Sequence, residues 1–470
     1  MSAIPRGFTV WALFAVVLAF GAAQPLPALA ANPTFAVDPS WPKPLPEVKD
    51  SSGVAHRWVA GEIAGTCTDQ NDHIYTVNRG WEVGVTVGGV LQGNESGAID
   101  GQDATASAIP SPPIVAYDTI GNVVASFGNP TLNQTGPSYG YPTYMAHGSH
   151  GCFVDYQGNI WVGGNGDGIV QEYNPVTAAA QGAAATFTLQ IGTKGVCDSP
   201  PVTGNTYLSC SETTDLNTSH TLLNEPADIA VDPQKDPVTG KKGDVYIADG
   251  YGNHRIVVFD STGKYVRQWG TACMLPNSSG VLAPGIGLSC PPGTFGATGG
   301  GHPHCVVLGN DGLVYVCDRP DDRIQVFEKD CGAASTSANP QPVCIPVQIF
   351  NISGFDKATA ANEAAILLAG TRGDDMDFWP NIDYLASKSP TNQNIIIDVD
   401  LGNDNVWLLK KATGEVFGAL GVCGIAPCPG HNAGQFAFAH TVSQDSTGSI
   451  YVAETVTGRR IQKFVQTNAD

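Results

Sequence analysis

Charged side chains are scarce in this chain, since Asp, Glu, Lys and Arg together make up only 14% of its 470 residues. Such a chain offers few of the solvated faces that surface helices present, and its 56 glycines and 33 prolines indicate many turns instead. Basic residues are fewer than acidic ones, with 23 Lys and Arg against 43 Asp and Glu. The resulting formal charge of -20 argues against nucleic acid or an anionic membrane as a partner, because both bind concentrated basic surfaces. The composition therefore predicts a β-rich protein with an acidic, solubilising surface.

Long apolar runs are missing beyond the N-terminus, where none reaches the roughly 18 to 20 residues that a membrane helix needs. At the N-terminus itself, Arg6 precedes an apolar run from Val10 to Ala23, and the small residues at 28–30 offer a cleavage site. We expect residues 1–30 to be a signal peptide. Residues 31–470 would then form a protein that is secreted or periplasmic and makes no membrane contact after cleavage.

The chain has no CxxC motif, the spacing typical of cysteine metal sites, although it has 12 cysteines. In an exported protein these cysteines indicate disulfides. Four close pairs in loop-like stretches are predicted to be bonded: Cys197–Cys210, Cys273–Cys290, Cys331–Cys344 and Cys423–Cys428. Four others lie in strand-like segments, where a buried thiol, a strand-bridging disulfide or, least favoured, a metal ligand all stay open: Cys67, Cys152, Cys305 and Cys317.

One phrase recurs along the chain: a short apolar strand, a D-x-x-G turn, a second strand ending in Tyr-Val-x-Asp or similar, then a third and often a fourth strand. Its clearest copy runs from Glu225 to Gly270. Short strands in self-similar blocks of about forty or more residues are typical of propeller blades. Clear blocks begin at Glu225, Gly148, His302 and Phe438, and two weaker copies begin at Ile63 (continued from Pro112) and at Trp379.

Six blocks without low-complexity linkers predict an all-β fold, a single six-bladed β-propeller built from residues 31–470. The last block stops after its third strand, at Val465. We expect the segment from Thr34 to Asp38 to supply the missing outer strand and close the ring, which removes exposed sheet edges.

Histidines open the innermost strand on alternate blocks: His150 in the second, His304 in the fourth and His440 in the sixth. The third block has Ala227 or Asp228 near that place, and the fifth has Asn381. Equivalent positions on every second blade of six lie about 120° apart around the axis, so the three imidazoles are predicted to converge. Three imidazoles with an open position are typical of catalytic zinc, although copper, nickel, iron and cobalt also accept them.

Two more histidines lie near these positions, His147 and His302, and either of them can substitute in register or support a ligand. His147 is the main competitor of His150 for the metal.

Two arginines share a repeat position just beyond the second strand, Arg79 in the first block and Arg319 in the fourth. Tyr251 follows the second strand of the third block one residue later. Arginine forks at the channel mouth suit a carboxylate substrate, because two parallel hydrogen bonds fix its orientation. The structural alternative for Arg319 is a salt bridge with Asp321 or Asp322.

The phrase resembles NHL repeats over nearly the whole mature chain. The stretches HGCFVDYQGNIWV, VYIADGYGNHRIVVF and PHCVVLGNDGLVYVCDRPDDRIQVF also resemble the lyase domain of peptidylglycine α-amidating monooxygenase. That resemblance implies zinc held by His150, His304 and His440, with Tyr251 as base and Arg79 and Arg319 at the active site. It further implies cleavage of an α-hydroxyglycine carbinolamine to an amide and glyoxylate.

This sequence departs from that family in three respects. Thr441 follows the third histidine where the family has an acidic residue that helps to hold calcium, which argues against a calcium site here. The chain has no room for a monooxygenase domain, so a partner that makes the substrate would be a separate protein. Insertions at roughly 84–110 and 196–222 can reshape the channel mouth.

Two other functions are also compatible with the predicted fold. A non-enzymatic propeller would bind a protein or glycan, and it would leave the three histidines dispersed or hydrogen-bonded to the backbone, without a metal. A lactone hydrolase of the gluconolactonase type would hold calcium with Glu, Asn and Asp ligands, against which the histidines argue.

Overall fold

The computed structural model describes the chain in segments: residues 32–49, 53–79, 85–87, 90–92, 108–127, 145–146, 148–174, 185–199, 210, 217–285, 287, 289–297, 302–319, 321–333, 344–352, 373–379, 393–426 and 429–467. Every regular element within these segments is a β-strand. The expected signal peptide, His147, Asn381 and Cys428 lie outside the described residues.

Six four-stranded antiparallel sheets account for most of the described strands and form the six predicted blades. Blade 1 contains β4 (Ile63–Thr68), β5 (Ile74–Asn78), β9 (Ile114–Tyr117) and β10 (Val123–Phe127). Blade 2 contains β11 (Ser149–Val154), β12 (Ile160–Gly164), β13 (Ile169–Asn174) and β14 (Thr186–Gly192). Blade 3 contains β15 (Pro226–Val231), β16 (Val245–Asp249), β17 (Arg255–Phe259) and β18 (Tyr265–Trp269). Blade 4 contains β23 (Pro303–Leu308), β24 (Leu313–Asp318), β25 (Arg323–Glu328) and β26 (Gln348–Asn351). Blade 5 contains β27 (Gly373–Trp379), β28 (Ile395–Asp400), β29 (Asn405–Lys410) and β30 (Val416–Ala419). Blade 6 contains β31 (Ala439–Gln444), β32 (Ile450–Glu454), β33 (Arg460–Gln466) and β1 (Phe35–Val37).

The remaining described strands lie outside the six blades and form small sheets. One three-stranded sheet joins β2 (Glu47–Lys49), β3 (Ala55–Val59) and β8 (Ala108–Pro110), and β6 (Val85–Val87) pairs with β7 (Val90–Gln92). Between blades 3 and 4, β19 (Thr271–Ala272) pairs with β22 (Thr294–Phe295), and β20 (Met274–Pro276) pairs with β21 (Leu282–Pro284).

The ring closes as the sequence predicts. The first strand of each blade contacts the first strand of the next, and β31 of blade 6 contacts β4 of blade 1. The N-terminal strand β1 completes blade 6, with Phe35 opposite Gln466 and Val37 opposite Phe464. Trp41 then packs between blades 6 and 1, its ring 4.8 Å from that of Tyr451. The N-terminus therefore covers the edge that β33 would otherwise expose.

An aspartate in the turn between the first two strands organises five of the blades. Its carboxylate accepts hydrogen bonds from backbone N–H groups of the turn, as Asp155 does from Gln157 and Asn159. The same carboxylate also accepts a bond from an aromatic side chain on the second strand. These pairs are Tyr75–Asp69, Trp161–Asp155, Tyr246–Asp236, Tyr315–Asp311 and Tyr451–Asp445. The aspartate thus ties the turn to the sheet, which explains why the repeat needs an acid at that point.

Apolar side chains of the described residues form six buried clusters, and each cluster lies between two neighbouring blades. Val77 of blade 1 packs with Val162 of blade 2, for example, and Val399 of blade 5 packs with Val452 of blade 6. The hydrophobic cores of the described residues therefore lie between the sheets.

Five disulfides join pairs of described cysteines. Three of them are disulfides that the sequence predicts within loops: Cys197–Cys210, Cys273–Cys290 and Cys331–Cys344. Cys423 is also disulfide-bonded, but its predicted partner Cys428 lies outside the described residues. The cysteines left open by the sequence form strand-bridging disulfides, Cys67–Cys152 between blades 1 and 2 and Cys305–Cys317 within blade 4. None of these four is therefore a metal ligand.

Within the described residues, the innermost strand of the fifth block lies elsewhere than the sequence predicts. The sequence predicts that this strand begins at Trp379 and includes Asn381, whereas β27 ends at Trp379. The strand GDDMDFW is too polar to be found by a search for apolar runs, and the conspicuous run IIIDVD forms the second strand instead.

No helix among the described residues is long and apolar enough to cross a membrane.

Candidate metal centre

Each blade's innermost strand carries a β-bulge near its start, where the pairing with the second strand shifts by one residue. A bulge redirects the side chain at that point. The residues at this position around the ring are Ala64, His150, Ala227, His304, Asp374 and His440. Histidine therefore occupies the bulge on blades 2, 4 and 6, and the fifth-blade equivalent is Asp374 rather than the predicted Asn381.

The three histidines converge on the axis. One ring nitrogen from each of His150, His304 and His440 lies within 4.8 Å of the other two, and all three side chains are buried. Their ring centroids are 4.7 to 5.2 Å apart. Tetrahedral zinc with bonds of about 2.0 to 2.1 Å needs donor nitrogens roughly 3 to 3.5 Å apart, so small side-chain rotations bring them into range.

The bulge on the following blade fixes which nitrogen points inward. Nδ1 of His150 donates to the carbonyl of Ala227 at 2.6 Å, and Nδ1 of His440 donates to the carbonyl of Ala64 at 2.8 Å. A carbonyl oxygen can only accept, so the proton resides on Nδ1 and the lone pair on Nε2. This backbone support is the arrangement that orients metal-bound histidines in proteins.

The electrostatics of the site keep the imidazoles of His150 and His440 neutral. Burial lowers the pKa of His440 to about 3, helped by the nearby charges of Arg79 and Arg319. Burial also lowers the pKa of His150 well below its ordinary value, as do the neighbouring His440 and His304. Neutral imidazole is the form that binds a metal.

Tyr251 stands in a turn that only glycines permit. A Cβ on Gly250 would lie 1.9 Å from the carbonyl oxygen of Pro303, and one on Gly252 would lie 2.2 Å from the side chain of Asn224. The Tyr251 N–H donates to the carbonyl of Glu225 at 3.1 Å. The D-G-Y-G-N phrase therefore places Tyr251 tightly against the start of blade 4.

The hydroxyl of Tyr251 lies at the centre of the group. It is 3.2 Å from Nε2 of His150 and 3.0 Å from Nε2 of His304. Nη1 of Arg319 donates to it at 3.2 Å, and the guanidinium carbon lies 5.1 Å from the centre of the phenol ring. The structure thus brings Tyr251 and Arg319 to the three histidines, as the sequence predicts.

Arg79 is buried beside the same group and has specific partners. Its Nε donates to the carbonyl of Ser149 at 2.6 Å, and its Nη1 lies 3.5 Å from a carboxylate oxygen of Glu62. Glu62 was missed by the sequence reading, because a single acid before a strand carries no repeat signal. Of the two acids considered as salt-bridge partners of Arg319, Asp321 pairs with Arg323 at 3.2 Å.

Three imidazoles suit a borderline metal ion of the zinc type, and no carboxylate belongs to the described group. Calcium prefers six to eight oxygen ligands and does not match this donor set. The residues present therefore fit zinc or a similar transition metal.

Fold and site together define a six-bladed β-propeller with a histidine-lined centre on its axis. The chain carries NHL repeats, which match at residues 238–259 and 301–327. These matches confirm the NHL-type propeller that the sequence indicates.

Three curated relatives are each similar to about a quarter of this chain. Peptidyl-glycine alpha-amidating monooxygenase of Mus musculus is 36% identical over 107 residues, which is 23% of this chain and 8% of that protein. The Rattus norvegicus enzyme is 37% identical over 107 residues, and form B of Xenopus laevis is 34% identical over 111. The matched stretch spans about a tenth or less of each relative's length.

Solved structures with a similar arrangement of strands include a streptogramin B lyase, with a TM-score of 0.38 and 10% identity over 90% of this chain and 97% of that chain. Virginiamycin B lyase from Staphylococcus aureus has a TM-score of 0.36 and 10% identity over 86% and 83% of the two chains. Nothing about activity follows from likenesses of this size.

Proposed function

We propose that this protein is a metal-dependent carbon–nitrogen lyase that cleaves an α-hydroxyglycine carbinolamine into an amide and glyoxylate. The observation that carries the proposal is the meeting of three imidazoles, the Tyr251 hydroxyl and the Arg319 guanidinium at one buried point. The partial identity to the amidating monooxygenases supports the same reaction class.

The metal, when bound by the three imidazoles, supplies a Lewis acid that polarises an oxygen atom of the substrate. Tyr251 removes the proton of the substrate hydroxyl as the C–N bond breaks, and the leaving nitrogen takes up a proton to become the amide. The guanidinium of Arg319 lies beside the phenol oxygen, where its charge stabilises a phenolate. Proton transfer by a positioned side chain is worth about 10²- to 10⁴-fold in rate.

The two arginines give the site a preference for a carboxylate. Arg79 and Arg319 are buried next to His440, where a substrate anion meets little competing water. A carboxylate bound by them would place the adjacent hydroxyl-bearing carbon near Tyr251. The substrate class is therefore an N-acyl-α-hydroxyglycine, as a small molecule or at the end of a peptide.

A separate monooxygenase that hydroxylates the glycine would be the partner that supplies this substrate. The five disulfides favour an oxidising compartment and hence export of the protein.

The two competing functions receive less support. A propeller that only binds a protein or glycan does not require three histidines within 4.8 Å of one another on the axis. A calcium-dependent lactonase would need oxygen ligands at that point, where this chain offers nitrogens.

The test is an assay of purified, zinc-loaded protein on an N-acyl-α-hydroxyglycine, with release of glyoxylate as the readout. His304→Ala should lose both metal and turnover, because two imidazoles hold zinc poorly. His431→Ala changes an exposed histidine and should behave like the wild type. If the wild type releases no glyoxylate from any carbinolamine, the lyase proposal is wrong.

A further inference from the structure

We propose that His302 is a positioning residue that holds the Tyr251 phenol at the metal centre through ring packing, an inference that rests on the proposed function. His302 is buried and lies two residues before His304. It is absent from the group of three converging histidines.

The contact between the two rings is close. Their centroids are 4.0 Å apart, with an angle of 34° between the ring planes. The centroid of His302 is 5.5 Å from that of His304, so His302 packs more closely on the phenol than on its neighbouring imidazole. Offset ring packing of this kind restricts where an aromatic side chain can lie.

The backbone reinforces the contact. Pro303, between the two histidines, presents its carbonyl to Gly250 at a distance that leaves no room for a Cβ. The segment His302-Pro303-His304 therefore touches the Tyr251 turn, packs on the Tyr251 ring and supplies one of the three imidazoles. One short piece of blade 4 thus sets both the metal site and the phenol of blade 3.

A phenol that must reach a proton needs this restraint. The hydroxyl of Tyr251 lies 3.0 Å from Nε2 of His304 and 3.2 Å from Nη1 of Arg319, and both distances depend on the ring angle. Displacing a catalytic group by about 1 Å can cost on the order of 10²-fold in rate. Loss of the His302 ring should therefore reduce kcat while leaving the carboxylate-binding arginines in place.

The experiment compares His302→Ala, which removes the ring, with His302→Phe, which keeps a planar ring. Each zinc-loaded variant is measured for metal content, for kcat and KM on an N-acyl-α-hydroxyglycine, and for the ¹⁹F signal of 3-fluorotyrosine placed at position 251. We expect His302→Ala to retain zinc, to broaden or split the ¹⁹F signal, and to lose roughly 10- to 100-fold in kcat with KM within about 3-fold. His302→Phe should restore a single signal and most of the rate.

A matched control is available in the same chain. His220 stacks on Tyr265 with centroids 3.9 Å apart, and His220 is exposed. His220→Ala removes a comparable ring pair and should leave the ¹⁹F signal at position 251 and the kinetics unchanged.

The result that overturns the inference is His302→Ala with an unchanged ¹⁹F signal and unchanged kcat. Loss of zinc in His302→Ala would also overturn it, because His302 would then act through His304. Failure of His302→Phe to restore the signal would show that the ring nitrogens matter rather than the packing. Since the ¹⁹F signal needs no turnover, an inactive wild type would refute the proposed function without deciding the role of His302.

Discussion

The hydroxyl oxygen of Tyr251 lies 3.0 Å from Nε2 of His304, although the two residues are 53 positions apart and belong to neighbouring blades. Tyr251 follows the second strand of blade 3, and His304 occupies the bulge in the first strand of blade 4. Their meeting requires the glycines on either side of Tyr251, which let the turn lie against Pro303 and Asn224. The proposed general base and an imidazole that can bind a metal would thereby lie within reach of the same substrate atom.

Tyr251→Phe should retain the fold and the metal and lose about 10²- to 10⁴-fold in kcat, because it removes the proton-accepting oxygen and leaves the ring in place. The measurement is steady-state release of glyoxylate together with metal analysis. Tyr265→Phe, on the outer strand of the same blade, is the control and should keep full activity. An active Tyr251→Phe would mean that another group accepts the proton.

The two arginines should differ in their kinetic effects. Arg319 donates to the Tyr251 hydroxyl, whereas Arg79 is bound to the carbonyl of Ser149 and lies near Glu62. Arg319→Gln should therefore lower kcat as well as weaken binding, by about 10- to 100-fold in kcat/KM, the value of a charged hydrogen bond. Arg79→Gln should act mainly on KM. Equal effects on kcat from both variants would contradict separate roles, provided that metal content is unchanged.

Removal of the Cys67–Cys152 disulfide should destabilise the protein more than removal of a disulfide within a loop. It joins the innermost strands of blades 1 and 2 across 85 residues, whereas Cys197–Cys210 closes a separation of only 13. Loop-closure entropy gives about 4.5 kcal/mol for the former and about 3 kcal/mol for the latter. Denaturant unfolding of the two double Cys→Ser variants measures the difference. The prediction fails if the order is reversed.

A chain that lacks residues 31–37 should unfold at a lower temperature and associate with itself. Without β1, the edge of β33 is left unpaired, and an open edge pairs readily with another chain. Thermal unfolding and light scattering at several concentrations test both effects. Removal of residues 31–33 alone is the control, since it leaves β1 intact. Unchanged stability in the longer deletion would show that closure by β1 is dispensable.

Much of the fold follows from the sequence because the repeat is physically constrained. The turn aspartate must cap its turn and accept the aromatic side chain of the second strand, so its spacing is visible in blade after blade, as with Asp155 and Trp161. Blade 5 was misplaced because its inner strand is polar, and apolar runs were the guide to the strands.

The converging histidines could also be predicted, because the bulge position is fixed within the repeat and the ring relates alternate blades by rotation. Contacts between blades could not be predicted in the same way. The disulfide Cys67–Cys152, the approach of Glu62 to Arg79 and the packing of His302 on Tyr251 each join segments with no common repeat signal. Such contacts depend on how neighbouring blades approach one another, which the spacing of residues does not reveal.

We expect glyoxylate release to depend on one metal ion held by His150, His304 and His440. In the test, the protein is stripped with a chelator, and glyoxylate release from an N-acyl-α-hydroxyglycine is recorded as zinc is added back. Release should rise until one equivalent of zinc per chain is bound and should not rise in His304→Ala. Turnover that persists in the stripped protein, or that stays absent after one equivalent of zinc, would contradict this expectation.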